Sequence, residues 1–361
     1  MKKSRTKKTI FQIAFLAALM FVTYYLIMRD KDVGQVWQVL VNSSKIWLIV
    51  SIASMTLYIF CGGWAIRVLM KGRNQKVSIW QCFKYSFIEF YFSAITPSSS
   101  GGQPVQLIYM GKDDFSVSDS GVVLVAITVL YKVSFLIITA IFFIITWGYI
   151  SVPMFDNKLV LSLAIIGLVL NLGLIGILLI LLFSKRLLEF LMKIVVKILG
   201  KLHIVKNVPE KIERYKETVE RYHNCANFFM QHKGLVVKAF GVLTIQRMAL
   251  LIIPFFVYKS FGLSGYSFVQ IIATQCLLNL CADMMPLPGA VGINETIFLT
   301  LFTPIFLEQN ITTALLLSRG ISFYVMVIVA GVVVCGIQLV GIFRVKRAKS
   351  RETKLEAGNE E

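Results

Sequence analysis

The sequence has little charge for its length and lacks the short motifs of enzymes that act on nucleotides or soluble esters. Only 16% of its 361 residues are charged, whereas 57% are hydrophobic. We find no P-loop, no nucleophile elbow and no Rossmann fingerprint in it. Without a P-loop the chain is not expected to hydrolyse ATP by itself, so any transport would be passive or coupled to an ion gradient.

Cysteine and histidine are too few and too scattered for a metal site or a disulfide framework. The six cysteines show no CxxC spacing and lie mostly in apolar runs, which is typical of small packing residues. The three histidines, His203, His223 and His232, have no metal-ligand spacing. We interpret Asp113 and Asp114 as a solvated acidic pair. The sequence therefore predicts no metal, no cofactor and no catalytic residue.

Long apolar runs are what the sequence has instead, and they predict an all-α polytopic membrane protein. The formal net charge is +18, and the basic residues that produce it lie between these runs. This placement is typical of residues that set membrane topology and does not favour nucleic-acid binding. The N-terminal run has no small-residue cleavage pattern, so we expect a retained first helix. The predicted spans are residues 10–28, 46–66, 122–149, 159–183, 235–258 and 311–341.

Two shorter apolar stretches are each interrupted by proline and glycine. An irregular backbone inside a bilayer leaves polar groups unpaired, and it is tolerated only where protein buries it or where it lines a polar cavity. Paired interruptions of this kind are a sequence indicator of a transporter binding site. The residues that interrupt the two stretches are Pro97, Gly101, Gly102 and Pro104 in the first, and Pro286, Pro288, Gly289 and Gly292 in the second.

The charge distribution predicts how these segments are oriented. If each interrupted stretch is a re-entrant hairpin, six crossings remain, both termini are cytoplasmic, and most of the 37 Lys and Arg residues lie inside. The first hairpin then enters from the inside and the second from the outside. This is an inverted-topology repeat, with halves at about 46–148 and 234–341.

The rest of the predicted domain organisation is simple. We expect one membrane domain over residues 1–345 and a short cytoplasmic tail at 346–361. The halves are joined by a cytoplasmic segment at 185–233. Its first part carries Lys193, Lys197 and Lys201 opposite an apolar face, which is typical of a helix lying on an anionic leaflet, although a solvated surface helix has the same pattern.

The two interruptions resemble the paired signatures of a known membrane family. Thr96-Pro97-x-x-x-Gly101-Gly102-Gln103-Pro104 and Pro288-Gly289-x-x-Gly292-x-x-Glu295 are similar to those of the lysylphosphatidylglycerol synthase transmembrane family, also called flippase-like domains. The resemblance covers about residues 10–342. Gln103 stands where many members of that family carry an acid.

The resemblance implies a function in the bacterial cytoplasmic membrane. Bifunctional members join this domain to one that transfers lysine from lysyl-tRNA to phosphatidylglycerol, and the membrane domain is associated with moving the product outward. That activity makes the cell surface less anionic and so gives resistance to cationic antimicrobial peptides. Only about twenty residues follow the last predicted span, so we expect a stand-alone member that is not itself the lysyltransferase.

Three hypotheses about the function remain at this point. The first is a translocase for an anionic or aminoacylated phospholipid such as lysylphosphatidylglycerol. The second is the membrane part of a phosphatidylglycerol lysyltransferase system, with a separately encoded aminoacyltransferase as partner. The third is a non-transporting scaffold.

Ionisable residues inside apolar segments are the candidates for substrate contacts, because they are costly there and usually face a polar interior. Arginine and lysine suit a lipid phosphate, and an acid suits a lysyl ammonium. We expect Arg319 to pair with Glu295 and Lys132 to pair with Glu89, and helix capping by Glu295 is the alternative to ligand binding. The predicted substrate-binding residues are Gln103, Arg247, Glu295, Arg319, Lys132 and Glu89, and Asp283 is a further ionisable residue of this kind.

Overall fold

The computed structural model describes residues 33–185 and 208–340, and every regular element in these ranges is a helix. These helices are α1 (Val33–Asn42), α2 (Lys45–Gly72), α3 (Ile79–Ala94), α4 (Gly102–Lys112), α5 (Val117–Ile145), α6 (Trp147–Asp156), α7 (Lys158–Phe183), α8 (Val208–Gln231), α9 (Lys233–Leu251), α10 (Ile253–Ser260), α11 (Phe268–Ala282), α12 (Ile293–Phe306) and α13 (Ile311–Arg319). A π-helical turn at Gly320–Tyr324 follows α13, and helix then continues to Val340. The predicted span at 10–28, the amphipathic run around Lys197 and the tail at 346–361 lie outside the described residues.

Five helical segments are long and apolar enough to cross a membrane, which confirms the prediction of a polytopic membrane protein. α9 and α10 together form one of them, with a short interruption at Ile252 where Pro254 cannot donate a backbone hydrogen bond. The five segments are Lys45–Gly72, Val117–Ile145, Lys158–Phe183, Lys233–Ser260 and Ile311–Val340.

Two helix–break–helix units lie between these spans, where the sequence predicts hairpins. The first is α3 and α4, and the second is α11 and α12. Both begin with the same capping box. Ser78 accepts a hydrogen bond from the Gln81 amide while the Gln81 side chain accepts from the Ser78 amide, and Ser267 with Gln270 repeats this arrangement. The reciprocal bonds satisfy orphan donors and fix where each unit starts.

The first break is shorter than the sequence suggested. We predicted Gly102 and Pro104 within it, but the break ends at Gly101, and both residues lie in the first turn of α4. Proline is tolerated there because the amide it lacks would have no helical partner. The residues between the predicted spans at 122–149 and 159–183 are also helical, since those up to Asp156 belong to α6, which includes Pro153.

The two largest clusters of buried apolar side chains lie one around each hairpin. One contains residues of α11 and α12, such as Leu277 and Phe302, with contributions from neighbouring spans. The other contains residues of α3 and α4, such as Ile88 and Met110, together with Cys225 of α8. α8 therefore packs on the bundle and is not a sixth apolar span.

α7 packs directly against the second hairpin through a glycine. A Cβ atom built on Gly167 would lie 1.7 Å from the Leu280 carbonyl oxygen of α11. The carbonyl group of Gly167 itself accepts a hydrogen bond of 2.8 Å from the side chain of Asn171, which is fully buried. The absence of a side chain at position 167 thus sets the distance between α7 and α11.

We predict that Gly167→Ala destabilises the protein by about 3 kcal/mol or more, because the added methyl group would meet backbone and not a side chain that can move away. Gly176→Ala on the same helix is the matched control, since a Cβ there meets nothing within 4 Å. The measurement is the thermal unfolding midpoint in detergent. Equal midpoints for the two variants would contradict the close packing of α7.

Candidate functional site

The two breaks contact each other. Pro97 and Pro288 pair as an isolated antiparallel bridge, and the Ser98 hydroxyl donates to the Met285 carbonyl over 3.4 Å. Thr96 closes the first break, because its hydroxyl donates to the Phe92 carbonyl at 2.6 Å and accepts from the Gly101 amide at 2.9 Å. Backbone carbonyl and amide groups in and beside the breaks are therefore hydrogen-bonded to side-chain hydroxyls, both across the two breaks and within the first one.

Glycine is required at two positions beside this contact. A Cβ on Gly102 would lie 2.5 Å from the Glu89 carbonyl oxygen, so α3 and α4 approach too closely for a side chain. Gly289 has a φ of +58°, and a Cβ there would lie 2.1 Å from the Phe323 ring. Both glycines keep the breaks close to the helices around them.

Glu295 ties the second break to the last span. Its carboxylate accepts from the Gly292 amide at 2.6 Å, from Arg319 Nε at 2.8 Å and from the Tyr324 hydroxyl at 2.9 Å. Arg319 also donates to the Gly289 carbonyl at 2.9 Å. The expected ion pair of Arg319 and Glu295 is thus present, and Glu295 also caps α12, where the helix dipole favours its charge.

A second charged cluster joins the C-terminal part of α9 to the end of α11. Arg247, only 2% exposed, donates to Asp283 at 2.7 Å and to the Tyr131 hydroxyl at 2.8 Å, and it lies 4.0 Å from the centre of the Phe135 ring. Lys132 lies 3.8 Å from the same Asp283 carboxylate. Asp283 stands at the C-terminus of α11, where the helix dipole disfavours a carboxylate, and the two cations offset that effect.

The expected pair of Lys132 with Glu89 is not found. Lys132 turns to Asp283 of the second break, and Glu89 accepts a hydrogen bond of 2.9 Å from Ser93, one turn further along α3. The reason is that α11 packs against α5 and ends beside Lys132, a contact that sequence distance does not reveal. Of the described carboxylates in the apolar segments, Glu89 is the one with no ion pair.

These groups surround a cavity of about 540 Å³ between the hairpins. Leu174 and Leu178 of α7 form an apolar part of its wall. Five of the six residues predicted to bind substrate line it, whereas Glu295 does not and reaches it only through Arg319. The five are Glu89, Gln103, Lys132, Arg247 and Arg319.

Gln103 lies at the start of α4 and donates a hydrogen bond to the Thr128 hydroxyl of α5. Other cavity residues were not among those predicted to bind substrate. Asp283 carried a usable signal, because it is ionisable and directly precedes the second break. Tyr58, Tyr131 and Asn279 carried none, since single polar residues in apolar helices are common.

We predict that Asp283→Asn lowers stability by about 3 kcal/mol, because it leaves the buried Arg247 charge without its partner. Replacing both residues, in Arg247→Leu with Asp283→Leu, should recover part of that loss, since neither charge is then buried alone. Glu308→Gln, at an exposed loop position, is the charge-matched control. Thermal unfolding of the purified variants measures this, and an unchanged midpoint for Asp283→Asn would contradict it.

Comparison with known protein families assigns most of the chain to one family. The sequence model of a family described as the lysylphosphatidylglycerol synthase TM region matches residues 9–330. A comparison with curated proteins gave no match. The matched range contains both breaks, both charged clusters and all of the cavity-lining residues. The chain therefore belongs to the lysylphosphatidylglycerol synthase transmembrane family.

Proposed function

We propose that the protein is a lipid translocase that moves an anionic or aminoacylated phospholipid between the leaflets of the bacterial cytoplasmic membrane. The observation that carries this proposal is a charged cavity inside an apolar helical bundle, at the point where two interrupted helices meet. Ionisable groups at such a depth are costly and mark substrate pathways. When the lipid carries lysine, its transfer to the outer leaflet lowers the negative surface charge that attracts cationic antimicrobial peptides.

The size and chemistry of the cavity suit a phospholipid head group. Its volume of about 540 Å³ lies within the usual range for small-ligand sites. Lys132 is 3.8 Å from Asp283, beyond ordinary hydrogen-bond length, so its ammonium can turn to a phosphate oxygen. Glu89, which has no ion pair among the described residues, is available to a cationic amine.

α7 provides a boundary along which the acyl chains could remain in lipid. Leu174 and Leu178 contact the cavity, while Leu172, Ile177 and Ile180 on other faces are exposed and apolar. A Cβ on Gly173 or Gly176 would meet nothing within 4 Å, which leaves open space beside the wall. With the head group inside the cavity and the acyl chains outside α7, each half of a phospholipid would lie in surroundings of matching polarity.

An inverted repeat is the mechanism that we propose for alternating access. Each half would consist of a span, a hairpin and a second span, namely α2 to α5 and α9 to the end of the last helix. The matching capping boxes at Ser78 and Ser267 and the contact between Pro97 and Pro288 support this. Two hairpins that enter from opposite sides would meet at their tips in this way.

The family description names a synthase, and this favours a second candidate function. The chain would then be the membrane part of a system that attaches lysine to phosphatidylglycerol, with a separately encoded aminoacyltransferase as partner. Reconstitution of the purified chain alone separates the two, because a translocase accelerates lipid exchange without the partner and an accessory subunit does not.

We predict that proteoliposomes containing the purified chain expose fluorescent phosphatidylglycerol and its lysylated form to an impermeant quencher faster than empty liposomes. Lys132→Gln should lower the rate at subsaturating lipid roughly tenfold, as expected for the loss of one charge-assisted hydrogen bond. Lys158→Gln, which removes an exposed lysine at the start of α7, is the control and should keep the rate. A rate equal to that of empty liposomes for the wild type would refute the translocase.

We predict opposite sidedness for the two hairpins. In a variant without Cys335, the one exposed cysteine among the described residues, single cysteines are placed at exposed Lys76, before α3, and exposed Gln309, after α12. In intact cells an impermeant maleimide should label position 309 and spare position 76. Labelling of both positions, or of position 76 alone, would contradict the proposed orientation.

A further inference from the structure

A second, smaller chamber of about 80 Å³ adjoins the cavity. Tyr58, Glu89, Gln103 and Tyr131 line both spaces and so form the partition between them. The hydroxyls of Tyr58 and Tyr131 are 3.5 Å apart, and Gln103 is bonded to Thr128, so polar contacts link the helices at this partition. Glu89 is the carboxylate in the partition.

The chamber extends from the cavity toward the basic ends of the helices around it. On α2 its lining runs from Tyr58 to Ile66, a rise of about 12 Å toward the end that carries Lys71 and Arg73. On α9 it is lined by Gln246, on the Lys233 side of the cavity residue Arg247. The proposed topology makes this the cytoplasmic side.

The lining of the chamber is polar enough to hold water. Ser86, Gln106, Thr128 and Gln246 line it, and a Cβ on Gly62 would lie 2.6 Å from the Ser86 hydroxyl and 2.8 Å from the Gln246 amide nitrogen. Polar groups of α3 and α9 therefore converge at Gly62. A space of this size with four polar side chains on its wall has room for ordered water, which needs polar partners of this kind.

Glu89 differs from the other two carboxylates of the site because no cationic side chain is paired with it. Asp283 is held by Arg247 and Lys132, and Glu295 by Arg319 and the Gly292 amide. Glu89 has only the Ser93 hydroxyl at 2.9 Å. An ionised carboxylate at this depth with no counter-charge must keep water or take up a proton.

We propose that Glu89 is a proton-binding site that couples lipid movement to the proton gradient. The carboxylate binds one proton from water in one of the two spaces and releases it to water in the other, and no other bond changes. Neutral Glu89 tolerates the closed partition, whereas ionised Glu89 needs hydration and favours an open one. The proton thus shifts a two-state element, as coupling requires.

This inference rests on the proposed translocase function. The titratable and charged groups around the partition act on the same equilibrium, and none of them neutralises Glu89 in the described structure. They are Tyr58 from α2, Tyr131 and Lys132 from α5, Arg247 from α9, and Asp283 from the second break.

The first test uses the proteoliposomes described above, with a pH gradient imposed in sodium-free buffer. In the wild type the lipid exchange rate should differ from its value without a gradient. In Glu89→Gln the ratio of the two rates should become one, whatever the basal rate, while Glu89→Asp and the exposed control Glu308→Gln should keep a gradient response. A sodium gradient at equal pH should have no effect.

The second test needs no transport activity. A hydrophobic carbodiimide reacts with protonated carboxyl groups inside membrane proteins, and peptide mass spectrometry locates the adduct. We expect labelling at Glu89 that falls as pH rises, with Asp283 and Glu295 spared because they are paired as carboxylates.

The outcomes separate this inference from the proposed function. Lipid exchange that ignores the pH gradient, responds to sodium, or keeps its response in Glu89→Gln overturns the proton site and leaves the translocase standing. Absence of any lipid exchange refutes the translocase, and carbodiimide labelling then decides the proton site by itself. Labelling absent from Glu89, or equal at Glu89 and Asp283, overturns it.

Discussion

The structure depends on satisfying an interrupted backbone inside an apolar bundle. Each break removes several residues from helical hydrogen bonding, and backbone groups left unpaired away from water cost several kcal/mol. Pro97 and Pro288 reduce the problem because proline has no amide to satisfy. Carbonyls that remain find donors in side chains. Ser98 donates to Met285, and Arg319 donates to Gly289.

The charged groups follow from this constraint. Arg319 reaches the second break because Glu295 holds it there, and Arg247 reaches Asp283 because α11 ends beside α9. Buried ion pairs add little net stability, but breaking one leaves a costly charge. They therefore fix the position of the second break more than they strengthen the fold. Lys132 and Glu89, with weaker partners, are the charges left to respond to a ligand or a proton.

Much of the fold could be predicted from the sequence because hydropathy reports local burial in lipid. The described spans lie within several residues of their predicted bounds, and both breaks were marked by proline and glycine. Gly102 and Pro104 were misplaced because a proline in the third position suits a helix start as well as a break. The pairing of Lys132 was wrong because residues from the same half were assumed to meet. The packing of α11 against α5 brings Asp283 to Lys132, and no local pattern encodes that contact.

The two breaks are held in place by contacts of different strength, and this difference affects which break would be displaced more easily. The second break is mostly half-buried and is held by Glu295, Arg319 and Asp283. The first break carries no charge, and its residues 97–100 are exposed, with Ser98 and Ser99 at positive φ values of 50° and 54°. Displacing the first tip breaks neutral contacts, whereas displacing the second separates buried ion pairs. In the proposed alternating access, opening would therefore cost less free energy on the first hairpin, which carries Glu89 and Gln103 of the partition.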